Sequence, residues 1–347
     1  MVRFANDHGD SKISTATTNG LTKAFSNTMD DSSSDDSSDY DPYFVCYTAD
    51  DMLRRGMKLA GLEDRAFAKR KQASLEQAFV DRYGCFSVVA AQIWEDMQRT
   101  SINEAFLPIN ERDKVDYFFM SLHFLKRYPV ESERALWYKC HQDTCRDWSW
   151  KFIKKIHALK HEKITWPVDN YGQDTWILTV DGVHCWCNEP KHDEFSMDPS
   201  YYSHKYAKSG YSYELAVSIT ESRLIWMKGP FKAGMNDKTI FREKGLCNKL
   251  RQIGKKGIAD GGYYAQDLFD VLSFPNAGDE PTTKKFKRRA QRRHEVFNGM
   301  IKTFECLSVR FRHGRDKFKL CFEAVCVIGQ YQMENGQPLY NVFVEGM

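Results

Sequence analysis

Hydrophobic residues recur every three to four positions between about Met52 and Leu159, and this spacing predicts α-helices. Three of these helices can be delimited. VDYFFMSLHFLKRYP ends at Pro129, ERALWYKC can be capped by Ser132, and CRDWSWKFIKKIHAL follows. Two short helices joined by about four residues and followed by a longer helix are typical of a helix-turn-helix, here at about 113–160.

The third of these helices combines an apolar face with basic residues. Its apolar face carries Trp148, Phe152, Ile156 and Leu159. An ordinary helical bundle with a basic, solvent-exposed face has the same spacing, so a DNA-reading role stays open beside that alternative. The basic residues that could enter a DNA groove are Arg146, Lys151, Lys154 and Lys155.

After Trp166 and Pro167 the pattern changes from helical to extended. TWILTVDGV predicts a strand that ends at Asp181 and Gly182, residues 211–219 alternate as a second strand after a Ser209–Gly210 turn, and RLIWM predicts a third. Strands followed by helices predict an α/β or α+β layer fold. The remaining elements are a helix through TIFREKGLCNKL capped by Asn236 or Asp237, a short strand GIAD, and helices at about 288–307 and 316–333.

Charge is distributed unevenly along the chain. Residues 1–44 hold eight Asp against three Lys and Arg, a net charge of −5. Because the whole chain has a net charge of +3, the remaining residues carry +8. The first segment has too few apolar residues to offset the entropy of ordering, so we expect an acidic, Ser-rich disordered tail. That tail could be phosphorylated or compete with nucleic acid, and a solvated tail without a specific role is the alternative. A basic remainder suits a polyanionic partner.

The composition predicts a globular protein, since 42% of the 347 residues are hydrophobic. We expect no membrane partner and no secretory signal, because no apolar run of about 18 residues occurs and MVRFANDHGDSK lacks an apolar stretch. Ten irregularly spaced Cys favour free thiols in a reducing compartment, the cytosol or the nucleus.

Three carboxylates in the second half are candidates for chemistry. Asp181 and Asp260 each end a predicted strand, where side chains face a crevice in α/β sheets. Glu295 shares one helical face with Asn298 and Lys302. Carboxylates brought together repel unless a cation lies among them, and oxygen ligands favour Mg²⁺ or Mn²⁺. Salt bridges and helix caps are the alternative roles. We interpret Asp237 as a helix cap, because it precedes a helix and does not end a strand.

A series of sequence blocks over about 172–334 resembles the DDE superfamily endonuclease domain of PIF/Harbinger-type transposases. The blocks are VDG (180–182), YYSHKYAKSGYSYELAVSI (201–219), IWMKGPFKAGMNDKTIFR (225–242), ADGGY (259–263) and HEVFNGMIKTF (294–304). RYGCFSVVAAQIW and WKFI in the helical part are similar to these proteins too.

The resemblance implies an RNase H-like mixed sheet flanked by helices, preceded by an all-α helix-turn-helix region. It also implies that Asp181, Asp260 and Glu295 form the catalytic, metal-binding triad, with Glu305 as the fallback for the glutamate. An activated water would attack a phosphodiester at an element end, and the freed 3′-hydroxyl would then attack target DNA. Asn298 and Lys302 could orient the glutamate helix or a phosphate oxygen.

KKFKRRAQRRH at 284–294 places seven Lys or Arg just before Glu295. Such a run can bind phosphates flanking a scissile bond or act as a nuclear localisation signal, and a solvated basic helix face is the alternative. The DNA-binding candidates here are Lys287, Arg288, Arg289, Arg292 and Arg293.

HCWCNEPKH at 184–192 invites a zinc interpretation, but its Cys residues are separated by one position and alternate with His184 and Trp186 as in a strand. We therefore predict a half-buried strand there.

The sequence thus predicts an acidic tail (1–44), a helical region (45–166), an RNase H-like DDE domain (172–334) and a C-terminal tail (335–347). We expect a nuclear, metal-dependent transposase that acts on double-stranded DNA; a separate DNA-binding partner protein and oligomer formation stay open. A domesticated DNA-binding or adaptor protein, and an RNase H-like nuclease acting on RNA or DNA ends, are the alternatives.

Overall fold

Eight helices precede the first strand in the described part of the chain, as the hydrophobic spacing predicts. The computed structural model describes residues 46–62, 64–99, 115–167, 175–189 and 197–343, so the acidic segment 1–44 lies outside the described residues. The helices are α1 (Ala49–Leu59), α2 (Asp64–Phe67), α3 (Gln72–Tyr83), α4 (Ser87–Arg99), α5 (Val115–Arg127), α6 (Glu131–Tyr138), α7 (Gln142–Ala158) and α8 (Lys160–Lys163).

Local capping fixes several helix ends. Thr48 and Asp51 form a reciprocal capping box at the start of α1, and the His141 side chain accepts the Asp143 N–H at the start of α7. Ser132 does not cap α6, contrary to prediction, because the helix begins at Glu131 and Val130 occupies the cap position.

The helix α7 lies inside the protein. Its buried residues run around the helix from Lys155 through Ile156 to Trp150, about 220° of its circumference at 100° per residue. It packs against α5, α6 and α13 (Arg315–Glu334), and Phe152 stacks on Trp94 with 6.0 Å between ring centroids. The three predicted helices of the helix-turn-helix exist, but the third is a core helix.

The sheet is mixed. Its strands are β1 (Trp176–Trp186), β2 (Tyr202–Ser203), β3 (Lys208–Ser218), β4 (Leu224–Lys232), β5 (Lys256–Ile258) and β6 (Leu272–Ser273). Their order is β2-β3-β1-β5-β6, with β4 also paired to β3. The β1–β3 and β3–β4 pairs are antiparallel, whereas β1–β5 and β5–β6 are parallel. This is the RNase H-like mixed sheet flanked by helices, preceded by a helical region, as expected.

Two strand boundaries differ from the prediction. β1 does not end at Asp181 and Gly182, because its pairing with β3 continues to Trp186 opposite Gly210. The predicted Ser209–Gly210 turn lies within β3, where Ser209 already pairs with Tyr202. The segment HCWC therefore belongs to β1, and its buried Cys185 and Cys187 confirm the predicted strand, while His192 lies outside the described residues.

Each face of the sheet is covered by helices. Leu178, Val180 and Ala216 pack on one face with residues of α9 (Asp237–Glu243) and α10 (Leu246–Ile253). Leu215 and Val217, the two neighbours of Ala216 on β3, pack on the opposite face with α11 (Pro281–Lys302) and α13. Alternation along the strands thus assigns each side chain to one helical layer.

Two predicted helices are divided. The segment TIFREKGLCNKL forms α9 and α10, which are separated at Gly245, where φ is +111° and favours glycine. Glu305 is not on the helix of Glu295 but on the short α12 (Glu305–Ser308), where it pairs with Arg127 of α5 at 3.0 Å. That pairing removes the fallback glutamate from the sheet crevice.

The helical region and the sheet share a core, because α13 contacts α4, α7 and α8 as well as β4. Residues 335–343 also pack onto the protein, with Leu339 and Val342 buried. None of the helices in the described ranges is both long and apolar enough to cross a membrane. All ten cysteines, which fall in those ranges, are free thiols.

Candidate active site

Asp181 and Asp260 lie at matching positions on neighbouring parallel strands. Thr179 of β1 pairs with Ile258 of β5, and each aspartate follows two residues later. β5 ends at Ile258, so Asp260 leaves the sheet and caps a 3₁₀ turn by accepting the Gly262 N–H at 2.8 Å. The predicted strand end at Asp260 is two residues beyond the observed end of β5, and the predicted strand end at Asp181 is wrong, because Asp181 lies within β1.

The Asp181 carboxyl is held from two sides. Its Oδ1 accepts the Gly182 N–H at 2.8 Å, and its Oδ2 accepts an N–H of the Asn298 amide at 2.9 Å. Burial raises the pKa of Asp181 to about 7, and the negative charges of Asp260 and Asp237 add to that effect. A carboxylate with such a pKa gains most from a nearby cation, because the cation removes the cost of its charge.

Asp237 is a third carboxylate at this place, and the sequence interpretation missed it. Asn236 caps α9 by accepting the Lys238 N–H at 2.9 Å, so the interpretation of Asp237 as the cap is wrong. The Asp237 carboxyl instead lies against Gly182, where a Cβ would come within 2.6 Å of its Oδ1. Burial raises the pKa of Asp237; Lys205 opposes the rise, and Asp260 adds to it.

Glu295 lies on the side of α11 that faces the two aspartates. The Gln291 amide, one turn earlier, donates to the Ala259 carbonyl at 2.5 Å, next to Asp260. Asn298, one turn later, holds Asp181. Glu295 is four residues after the first and three before the second, so it shares their side of the helix. Its side chain is exposed.

Lys302 fixes α11 to β1. Its ammonium donates to the carbonyls of His184 and, at 3.2 Å, of Leu307. Asn298 orients Asp181 and not the glutamate. Both residues therefore contact protein groups that position the crevice.

Glu214 is a buried carboxyl that the sequence interpretation also missed. It lies on β3 opposite Gly182, and its Oε1 accepts the Trp226 indole N–H at 2.9 Å. Its Oε2 is buried without a hydrogen-bond partner, and burial raises the pKa of Glu214 to about 8. Glu214 alternates with apolar residues in the same register as Ser212 and Ser218, so the sequence pattern gave no signal of its burial.

The basic residues of α11 are divided between buried and exposed positions. Lys287 is buried and pairs with Asp279 at 3.0 Å, while Arg293 is buried and donates to the carbonyls of Ser218, Glu221 and Tyr340. The prediction that these two contact DNA is corrected, because both are structural. An exposed groove of about 740 Å³ is lined by Pro281, Lys284, Lys285, Arg288, Arg289, Arg292 and Tyr340.

The basic residues of α7 have protein partners for the most part. Arg146 pairs with Glu131 at 3.0 Å and with Asp143 at 2.8 Å, and Lys155 is buried. The Lys151 ammonium lies 4.5 Å from the centroid of the Trp148 indole, and Lys154 is exposed. Burial excludes Lys155 from a DNA surface, and the two ion pairs already neutralise Arg146.

The donor chemistry of the crevice fits a divalent metal ion. It offers carboxylate oxygens and the Asn298 Oδ1, a buried amide oxygen without a hydrogen-bond partner beside Asp181. Hard oxygen donors are those that Mg²⁺ and Mn²⁺ prefer. Among the residues that the structure describes, no three His, Cys, Asp or Glu side chains are grouped closely enough to hold an ion as they stand.

The segment that carries these residues has a recognisable family signature. Residues 180–330 match the model of the DDE superfamily endonucleases. The match begins one residue before Asp181 and includes Asp260, Glu295 and Asn298. It supports the superfamily and a transposase-like nuclease function for this segment. Nothing among the curated proteins or the solved structures matches the chain.

Proposed function

We propose that this protein is a metal-dependent DNA endonuclease in which Asp181, Asp260 and Glu295 hold Mg²⁺ or Mn²⁺. The observation that carries the proposal is the placement of Asp181 and Asp260, each two residues after the paired Thr179 and Ile258 of two parallel strands, inside a segment that matches DDE superfamily endonucleases. Glu295 supports the proposal because it lies on α11 between Gln291 and Asn298, which contact Ala259 and Asp181.

The residues of the chain have distinct roles in this proposal. Asn298 fixes the rotamer of Asp181, and Lys302 fixes the position of the glutamate helix. Asp181 and Asp260 would bind the ions jointly, and Glu295 would complete the coordination from the helix. When bound, the ions polarise the phosphate and make an attacking water a stronger nucleophile.

We further infer the PIF/Harbinger type of transposase, with two-metal-ion cutting and joining of a freed 3′-hydroxyl to target DNA. The ordered blocks from VDG to HEVFNGMIKTF support this type. The match to DDE superfamily endonucleases supports double-stranded DNA as the substrate. The basic run at 284–294, in which Arg288 and Arg292 are exposed, supports the nucleus as the location, because such a run can act as a nuclear localisation signal. The proposed domain limits are those of the sequence, 45–166 and 172–334.

A domesticated DNA-binding protein without nuclease activity is the second candidate. It is favoured by one observation, the lack of a ready group of three metal-ligating side chains in the described ranges.

Nicking of supercoiled plasmid in Mg²⁺ or Mn²⁺ tests the proposal. Asp181→Asn and Glu295→Gln should abolish nicking and leave DNA binding intact or stronger, because a negative charge facing the phosphate is lost. Asp267→Asn is the matched control, since Asp267 is exposed and already neutralised by Arg242 at 2.6 Å. Nicking by Asp181→Asn at the wild-type rate would refute the nuclease. Wild-type protein that binds DNA and never nicks it would favour the second candidate.

A further inference from the structure

The groove along the first half of α11 is formed by one row of cations and one aromatic ring. Lys284, Arg288 and Arg292 recur every four residues, so they follow one another at about 6 Å along the helix axis. In the described parts of the chain, none of these three side chains pairs with a carboxylate. The groove therefore presents a line of positive charge that matches a polyanion chain.

Tyr340 forms the other wall of the groove. The residue is 39% exposed, its hydroxyl donates to the Arg289 carbonyl at 2.8 Å, and its backbone carbonyl accepts from Arg293 at 2.9 Å. The Arg289 guanidinium lies 6.0 Å from the ring centroid. The ring is thus held in place at both ends with part of its surface open to a ligand. Phe343, three residues later, is 67% exposed.

The groove leads toward Glu295. Arg292 is three residues before Glu295 on the same helix. Tyr340 lies within electrostatic reach of Arg289, Arg292 and Glu295, whose charges all act on its hydroxyl. A chain bound along the groove would therefore have one end near the proposed metal-binding carboxylates.

We propose that this groove binds a single strand of nucleic acid, with phosphates on Lys284, Arg288 and Arg292 and a base stacked on Tyr340. A positively charged groove with an aromatic platform is how proteins bind single strands without sequence preference. A duplex keeps its bases stacked inside and offers phosphates alone, which would leave the Tyr340 ring without a partner. The inference rests on the proposed nuclease for one point only: the bound strand is the one presented to the carboxylates.

Fluorescence anisotropy on the full chain tests the groove, with a labelled 20-nucleotide oligo(dT) and a duplex of equal length. EDTA is present, so cleavage does not enter the readout. Tyr340→Leu should weaken oligo(dT) binding about fivefold or more, the loss of one stacked base, and change duplex binding less than twofold. Tyr340→Phe keeps the ring and removes the hydroxyl, so it should bind oligo(dT) like the wild type.

The cations are tested by salt dependence. Arg288→Gln/Arg292→Gln should lower the slope of log K against log salt for oligo(dT) by about 1.4, or 0.7 for each phosphate contact. The matched control is Lys228→Gln/Lys319→Gln, which removes the same charge from two exposed residues that line a different pocket. That control should leave the slope unchanged.

Three results would overturn the inference. They are wild-type oligo(dT) affinity in Tyr340→Leu, an equal loss for the duplex, and an unchanged slope in the Arg288/Arg292 variant. Circular dichroism melting verifies that each variant is folded; if Tyr340→Leu is not, the slope of the arginine variant decides. If the wild-type protein nicks DNA but the Tyr340 and Arg288/Arg292 variants bind oligo(dT) like the wild type, the groove is refuted and the nuclease is not. A protein that never nicks but loses oligo(dT) binding in these variants refutes the nuclease alone.

Discussion

The helices α7 and α11 both combine basic and apolar residues, but α7 lies in the core and α11 lies at the surface. Seven of the 17 residues of α7 are buried, spread over more than half of its circumference, and its arginine, Arg146, is neutralised by two carboxylates. α11 buries one side against the sheet and opens a cationic groove on the other. A basic helix in a sequence therefore says little about its ligand until the partners of each cation are known.

The strongest expected effect is on the stability of α7. Phe152→Ala should lower the free energy of unfolding by about 3–5 kcal/mol, because a fully buried aromatic ring is removed from the core. Urea denaturation measures this. A loss below 1 kcal/mol would mean that α7 is not a core helix, and its DNA-reading role would reopen.

Within α11, the buried cation should behave as a structural residue. Lys287→Met should lower the free energy of unfolding by about 3 kcal/mol, because Asp279 would be left without its buried partner. Arg288→Gln, on the adjacent exposed position, should change stability by less than about 0.5 kcal/mol. If DNA affinity falls equally in the two variants, the division of α11 into inside and outside is wrong.

The contact between α7 and α13 should be sensitive to acid. Burial alone would raise the pKa of Glu323, but hydrogen bonds from His157 and Lys160 outweigh it and hold the pKa below its ordinary 4.5. A depressed carboxyl pKa gives stability that is present above about pH 4.5 and is lost as pH falls through the folded-state pKa. Thermal melting between pH 7 and 3 should show a steeper loss for the wild type than for Glu323→Gln. Parallel curves would exclude this contribution.

The smallest effect is expected on the DNA affinity of α7 variants. Arg146→Gln should change binding to any duplex less than twofold, because Glu131 and Asp143 already neutralise this arginine. Lys154→Gln is the comparison, since Lys154 is exposed. A larger loss on a preferred sequence than on random DNA would restore base reading by α7.

Much of the sheet could be predicted because its signals are local. The alternation over 211–219 and the short strand before Asp260 both appear in the structure. The extension of β1 beyond Asp181 could not, since it depends on pairing with β3 far along the chain. The burial of Arg293 likewise depends on a distant group, the Ser218 carbonyl. Lys287 is held by groups just before α11, the Phe274 carbonyl and Asp279.

The candidate site was predictable where a residue ended a strand and not where it came from a neighbouring loop. Asp260 follows the last residue of β5 by two positions, close to the predicted strand end, and the spacing of Glu295 and Asn298 places both on the side of α11 that touches the sheet. Asp237 is the first residue of α9, directly after the cap Asn236, and its sequence context is equally typical of a cap. Only the approach of its carboxyl to Gly182 distinguishes the two roles.

The position of α13 between the helical region and the sheet has a consequence for synthesis. α7 ends at Ala158, but α13, against which it packs, ends at Glu334. At about 5–20 residues per second the ribosome needs roughly 9–35 s to make the intervening chain. During that interval α5 and α6 are already made, but the part of the α7 surface that packs on α13 has no final partner. We therefore expect the nascent protein to depend on chaperones more than a chain of separately folding domains would.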